Sequence, residues 1–443
     1  MNQYVKNTIN MAWPAVLESV SISIAGFIDT LMVSSIGSDA VAAVGLTTQP
    51  KFLGLAFFIA TNVAVSALVA RRKGQGKKRE ANQILFSALI LTVVAGILIS
   101  IICVGFADGI MRFSGSEKAT HDYAVGYFKI IMGGMMFNII TMLINAAQRG
   151  AGNTRIAMRT NLVSNGINIV FNYLLINGNL GFPKLGIKGA AIATVIGTIV
   201  ACIMSIGSLY KSEFLGFKEL ICCELRKVKD SLIGIFKISY SVFIEQILLR
   251  IGFMAVAIMA AKQGSDGLAA HQVAMNIMSL AFSFGDGMQS ATVTLIGQSL
   301  GRNEPENAKL YRKISLRIGN IMSVIFAVVY LLLGGAIYGL FFEEQHIIDI
   351  GIDIMRLMIF IVLFQIIQVI NMGCLRGAGD VLFTTFTSTI SVTIIRPLAS
   401  YIMCYGLGLG IMGIWIGVLM DQVCRFTLTT FRFRNDKWTK IKI

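Results

Sequence analysis

Runs of about twenty residues without Asp, Glu, Lys or Arg recur along the whole chain, separated by short polar segments. A bilayer core about 30 Å thick takes roughly 20 residues of helix at 1.5 Å each, so this spacing predicts membrane-spanning helices. The clearest runs cover 81–107, 160–183, 189–210, 318–342, 357–375 and 397–420, with further candidates near 12–35, 50–70, 123–147, 232–261, 267–299 and 381–403. The run at 397–420 straddles a glycine-rich turn at Gly406 to Gly410 and belongs to two spans. The pattern predicts an all-α integral membrane protein of about twelve transmembrane helices and no separate soluble domain. Residues 1–11 lead into an apolar stretch without the small-residue cleavage pattern of a signal peptide, so that stretch reads as the first span.

Composition agrees. Of 443 residues, 55% are hydrophobic and 14% charged, where soluble proteins average about 25% charged. The 38 basic residues against 23 acidic ones give a net charge of +15, which raises the question of nucleic acid. Their placement answers it, because they gather in alternate short loops instead of forming patches interleaved with aromatics. With the N-terminus inside, the inner loops hold clusters such as Arg71, Arg72, Lys73, Lys77, Lys78 and Arg79, or Arg302, Lys309, Arg312, Lys313 and Arg317. The outer loops hold Arg112, Lys118, Lys184, Lys188 and Lys262. Both termini are therefore expected in the cytoplasm. Seven cysteines lie in apolar stretches or, as Cys222 and Cys223, in a charged loop, and read as reduced thiols.

The chain matches itself at a shift of 227 residues. Glu18 falls on Glu245, Gly37-Ser38-Asp39 on Gly264-Ser265-Asp266, and Arg149-Gly150-Ala151-Gly152 on Arg376-Gly377-Ala378-Gly379. Later landmarks slip to a shift of 224, as Gly186-x-x-Gly189 falls on Gly410-x-x-Gly413. Two six-helix halves follow, of like orientation, with 1–210 and 231–443 as lobes and 211–230 as a cytoplasmic linker. A cavity between the halves is expected, and one copy of the chain suffices to form it.

Ionisable and amide groups inside spans are costly and therefore mark candidate sites. Glu18 and Asp29 lie eleven residues apart on nearly one face of the first span. The fifth span carries Asn161, Asn165, Asn168 and Asn172 at spacings of 4, 3 and 4, a continuous amide stripe. Such a stripe supplies neutral oxygen ligands or hydrogen bonds to a carboxylate, or glues one span to its neighbours. In the second half, Glu245 stands in the seventh span, and the eighth carries Gln272, Asn276, Ser279, Ser283, Asp286 and Ser290 as a stripe expected to line the interior. His271 reads as structural, and Arg396 is expected to snorkel or pair near an interface. Pro14, Pro50 and Pro397 are candidate kinks. Phosphate loops, HExxH zinc motifs and Cys-x-x-Cys pairs are absent from the sequence, so ATP hydrolysis and redox catalysis have no support in it.

In this order the motifs resemble the multidrug and toxic compound extrusion (MATE) family. They are Asp29 ahead of Gly37-x-x-x-x-Ala42-Ala43-Val44-Gly45, the exit Ala70-Arg71-Arg72-x-Gly74, the two RGAG turns, and Ala269-Ala270-His271-Gln272 after Glu245. The resemblance covers nearly the whole chain. It implies two six-helix lobes and a non-enzymatic antiporter of the plasma membrane, exporting organic, cationic or amphipathic compounds by alternating access. It implies no cofactor, a small organic substrate as partner, and H+ or Na+ as the coupling ion. By resemblance, Asp29, Asn168 and Asn172 match a cation site of the N-lobe, open to Na+ or a proton, and Glu245 matches a C-lobe acid. Glu18, Asn165, Gln272, Asn276 and Asp286 are the polar groups expected along the substrate cavity. Two positions depart from the family: some members carry Asp where this chain has Asn172, which leaves Asp29 with less negative charge around it, and Gln365 replaces the Asp of a C-lobe sodium site, which weakens the case for sodium there and allows Asp29 or Glu245 to work with protons alone. Competing readings are a flippase for lipid-linked precursors, which would need cationic groups along its cavity, and a membrane enzyme or receptor.

Overall fold

The computed structural model describes residues 2–441, which form helices and turns without a strand. The helices are α1 (Asn2–Ser34), α2 (Ser38–Gly74), α3 (Lys78–Gly105), α4 (Ala107–Phe113), α5 (Lys118–Gly133), α6 (Met135–Gly150), α7 (Thr154–Asn177), α8 (Ile187–Lys211), α9 (Phe217–Ile221), α10 (Val228–Ala261), α11 (Ser265–Gly301), α12 (Pro305–Gly339), α13 (Gln345–Ala378), α14 (Val381–Ser388), α15 (Arg396–Tyr401) and α16 (Gly410–Arg432). Among the described residues, eight helices are individually long and apolar enough to cross a membrane, and the bent pair α5–α6 makes a ninth crossing. With α7, α11 and α13, which have the length though not the uniform apolarity, the described residues form twelve rods of crossing length. Backbone hydrogen bonding inside each helix lets the peptide groups enter lipid. Hydroxyls within the spans turn back to carbonyls one turn earlier, as Ser21 does to Leu17, Thr61 to Phe57 and Ser87 to Gln83.

Two interruptions escape the apolar-run pattern. The fourth span bends by 48° at Gly134, between α5 and α6. The eleventh is not a plain helix kinked at Pro397: π-helical segments at Thr389–Ile395 and Ile402–Gly406 flank the short α15. Proline lacks an N–H, and the wider turns around it take up the lost i→i−4 bond.

The chain packs into two compact units. One is Leu17–Phe243, and the other combines Met1–Val16 with Ile244–Ile443. The first unit has a core in which Phe58, Met132, Ile139 and Ala191 are buried together. The second is centred on α13, nearly all of whose last sixteen residues are buried, with Tyr338 and Trp415 deep in the same core.

Each unit contains one RGAG turn, and the turn works the same way in both. Arg149 Nη1 donates to Glu18 Oε1 at 2.9 Å, and Arg376 Nη2 donates to Glu245 Oε1 at 2.8 Å. The first glycine allows close helix packing, since a Cβ on Gly150 would sit 2.5 Å from the Ser66 carbonyl oxygen and one on Gly377 2.5 Å from that of Val293. The second glycine reverses the chain with φ of +94° at Gly152 and +92° at Gly379, a left-handed conformation that side chains disfavour. Every position in this device is displaced by the predicted shift of 227.

Candidate functional site

The site lies within the unit Leu17–Phe243, where the last turns of α1 and α7 run side by side. The amide stripe of α7 grips α1 along its length. Asn161 Nδ2 donates to Glu18 Oε1 at 2.8 Å, Asn165 Nδ2 to the Ser21 carbonyl at 3.4 Å, and Asn172 Nδ2 to Asp29 Oδ1. Asn168 completes the set: turned so that its nitrogen meets the carboxylate, it donates to Asp29 Oδ1 at 2.9 Å and its oxygen accepts from Thr194 Oγ1 on α8 at 3.0 Å. The spacing of 4, 3 and 4 returns all four amides to one helix face, which is why one helix can serve both carboxylates of the other.

Asp29 is half-buried, Asn168 is buried and Asn172 fully so. Asn172 Oδ1 has no hydrogen-bond partner among the described residues, so an amide oxygen with a free lone pair belongs to the group that donates to the carboxylate. α8 comes close enough to complete the site because of Gly197, where a Cβ would meet the Ser164 carbonyl of α7 at 2.8 Å. Two further groups feel the Asp29 charge. Lys51 on α2 is the cation that acts on it, its ammonium 5.8 Å from the centroid of the Phe52 ring. The buried Tyr127 on α5 is the other.

Of the residues read from the sequence, Asp29, Asn168 and Asn172 converge. Glu18 and Asn165 belong to the same α1–α7 contact, but Glu18 is buried and held by Arg149 and Asn161, which makes it a clamp on the RGAG turn. Glu245 is likewise buried, taking donors from Arg376 and from Thr385 Oγ1 at 3.3 Å. Along α11, Gln272 and Asn276 are exposed and Asp286 half-buried, where it accepts from Gln289 at 3.4 Å. His271 is buried with its ring 5.5 Å from that of Trp415, and its Nδ1 has no hydrogen-bond partner among the described residues.

Two residues went unnoticed in the sequence. Lys51 stands thirteen residues into α2, and a span begun at residue 50 mistook it for an edge. Asp421 immediately follows the apolar run that ends at Met420, and it is fully buried on α16. It pairs with Arg396 through two nitrogens and with Arg425 at 2.7 Å. Arg396 does not snorkel; it is 2% exposed and lies over the Phe253 ring at 4.8 Å. Gln365 is buried on α13. Among the described residues, no group of three His, Cys, Asp or Glu side chains is arranged to hold a metal ion.

Comparison with known proteins adds a direct result. The MatE family model matches residues 14–174 and again 242–402, one copy in each half. The chain is 27% identical to a Thermotoga maritima protein named Probable multidrug resistance protein NorM, over 98% of this chain and 93% of that one. It is 26% identical to the Vibrio cholerae Multidrug resistance protein NorM, over 95% and 93%. Its fold matches a structure described as the outward-facing conformation of a multidrug resistance MATE family transporter of the MOP superfamily, with a TM-score of 0.90, 21% identity, and 99% and 97% of the two chains covered.

Proposed function

The chain belongs to the multidrug and toxic compound extrusion family of membrane transporters, and on that premise we propose that it exports organic, cationic or amphipathic compounds across the plasma membrane in exchange for protons, with Asp29 as the coupling carboxylate. Transport in this family is ion-coupled and the members are not enzymes. The observation that carries the reading is the Asp29 site itself: one carboxylate, two amide donors and one nearby ammonium.

With Asp29 ionised, its charge is opposed by that of Lys51 and stabilised by the amides of Asn168 and Asn172. Protonation removes the negative charge and leaves the ammonium uncompensated in a poorly hydrated region. A cationic substrate is then repelled, so proton and substrate exclude one another, which is what an exchanger requires. A proton moving through 100 mV supplies roughly 2.3 kcal/mol, enough for about a fifty-fold gradient of a neutral substrate. The bodies that alternate access in this proposal are Leu17–Phe243 and Met1–Val16 with Ile244–Ile443, which depart from the halves 1–210 and 231–443 by placing 1–16 with the second half and 211–243 with the first; both termini are cytoplasmic and one chain suffices for transport.

Sodium is the second reading, favoured by the free oxygen of Asn172 beside Asp29. It is the weaker one, because the ammonium of Lys51 opposes the charge of the single carboxylate and the second acid of some relatives is an amide here. Purified protein in liposomes decides between them. A pH gradient imposed alone should drive uptake of a fluorescent organic cation and a sodium gradient alone should not. Transport driven by sodium and indifferent to a protonophore overturns the proton assignment, and transport driven by neither overturns antiport.

A further inference from the structure

At the N-terminal end of α12 a cleft of about 380 Å³ opens between that helix and the segment after α16. Its wall carries four cations, Lys309, Arg312, Lys313 and Arg317, against one carboxylate, Asp436. They lie at spacings of three, one and four residues, and so share one broad face of the helix. The cations are not equally free. Lys309 Nζ donates to Asp436 Oδ2 at 2.8 Å and to Glu306 Oε1 at 2.9 Å. Arg312 stacks on the Phe433 ring, 3.7 Å from its centroid, and donates through Nε to Asn371 at 3.1 Å. Lys313 and Arg317 are exposed and meet no carboxylate among the described residues.

The depth of the cleft points to its occupant. α12 has 35 residues, about 52 Å at 1.5 Å per residue, well over the roughly 30 Å hydrocarbon core. Its first three turns are the polar ones, and the apolar run starts at Ile318. The cations therefore sit at headgroup level, from about one residue (Arg317) to about two and a half turns (Lys309) before the apolar run. Above Arg317 the same face continues as Ile321, Val324, Val328 and Leu331, which are 62%, 53%, 46% and 66% exposed. A cationic cradle that leads directly into an exposed apolar stripe on one helix face fits a molecule with a phosphate at one end and hydrocarbon at the other.

We propose that this cleft binds the headgroup of one acidic phospholipid, with Lys313 and Arg317 on its phosphate and its acyl chains along Ile321, Val324, Val328 and Leu331. The site stands apart from the Asp29 exchange site and does not depend on the transport reading. The test is equilibrium binding to the full chain in a neutral detergent, with phosphatidylglycerol, phosphatidylcholine and inorganic phosphate as separate probes. Phosphatidylglycerol should bind at least about ten-fold more tightly than either of the others. The double variant K313Q/R317Q, which alters only exposed side chains, should weaken it about 25-fold, at roughly five-fold per charge. The double variant R226Q/K229Q removes as much charge elsewhere and should leave binding unchanged. Equal binding of the two lipids overturns the proposal. So does phosphate binding as tightly as phosphatidylglycerol, which makes the cleft a free-anion site, and so does equal weakening in both double variants, which reduces the effect to net charge.

Discussion

The two units repeat one backbone device and differ in what they bury beside it. In Leu17–Phe243 the carboxylate of Asp29 is met by the amides of Asn168 and Asn172, with a third partner, Thr194, behind Asn168. In the other unit the position 227 residues on from Asp29 is the buried Val256. The elements corresponding to α7 and α8 there are the broken eleventh span and α16, which bring Arg396 and Asp421 onto each other with Arg425 alongside. A carboxylate held between two guanidiniums is already neutralised and has no use for an incoming cation. One held by amides keeps a charge that a proton or ion can answer. The duplicated Glu–Arg pairs, Glu18–Arg149 and Glu245–Arg376, sit in both units, and so belong to what the repeat shares. The proposed exchange chemistry rests on what distinguishes the Asp29 unit from the other.

The largest expected effect lies in the closed pair. Asp421→Asn leaves two guanidiniums without their carboxylate, one of them fully enclosed, and breaking a buried pair from one side costs about 3–5 kcal/mol. A clear fall in the melting temperature of the detergent-purified protein is expected. An unchanged melt means that Asp421 is not the anion that holds Arg396, and the contrast between units collapses.

Next comes Asp29→Asn, with the opposite signature. The amides keep a neutral partner and the only charge lost is one that Lys51 opposes from a distance, so the melt should move far less than in the Asp421 variant, while uptake of an organic cation driven by a pH gradient disappears. Full export by a normally expressed D29N protein removes Asp29 from coupling. A smaller, symmetric effect is expected from Glu18→Gln and Glu245→Gln. Each trades a charged hydrogen bond to a partly screened arginine for a neutral one, at about 1–2 kcal/mol in stability. If the two variants are similarly destabilised and both still transport, the pairs are clamps. Loss of proton-driven transport in E245Q alone, at unchanged stability, puts Glu245 back among the coupling residues.

The apolar runs already displayed the twelve rods, and the shift of 227 displayed the repeat, because both are periodicities that survive in one dimension. The amide stripe on α7 was visible for the same reason. That Arg149 reaches Glu18 was not, since 131 residues separate them and no local spacing encodes the meeting. Lys51 and Asp421 were hidden by a different cause. Long runs were bounded at the first charge, so a charge buried inside a longer helix looked like its end. The bend at Gly134 carried no proline to announce it, and the π-helical segments around Pro397 are a backbone response that composition does not specify.

The subtlest prediction tests why the open site is tuned as it is. Asn172→Asp adds a second carboxylate next to Asp29, while Lys51 still opposes the Asp29 charge. The site then carries a second negative charge, and with both acids ionised a small cation can bridge the two carboxylates without displacing the ammonium. At the effective dielectric of a partly hydrated site the added attraction is on the order of 1 kcal/mol, so apparent sodium affinity should rise by about five- to ten-fold. The readout is sodium-dependent stabilisation of the purified variant against heat, compared with potassium at equal ionic strength so that screening cancels. Stabilisation by sodium in N172D and its absence in the wild type would trace the ion preference to the amide at position 172. Equal stabilisation in both proteins would show that Asn172 already serves as a ligand through its free oxygen, and would return sodium to the original site.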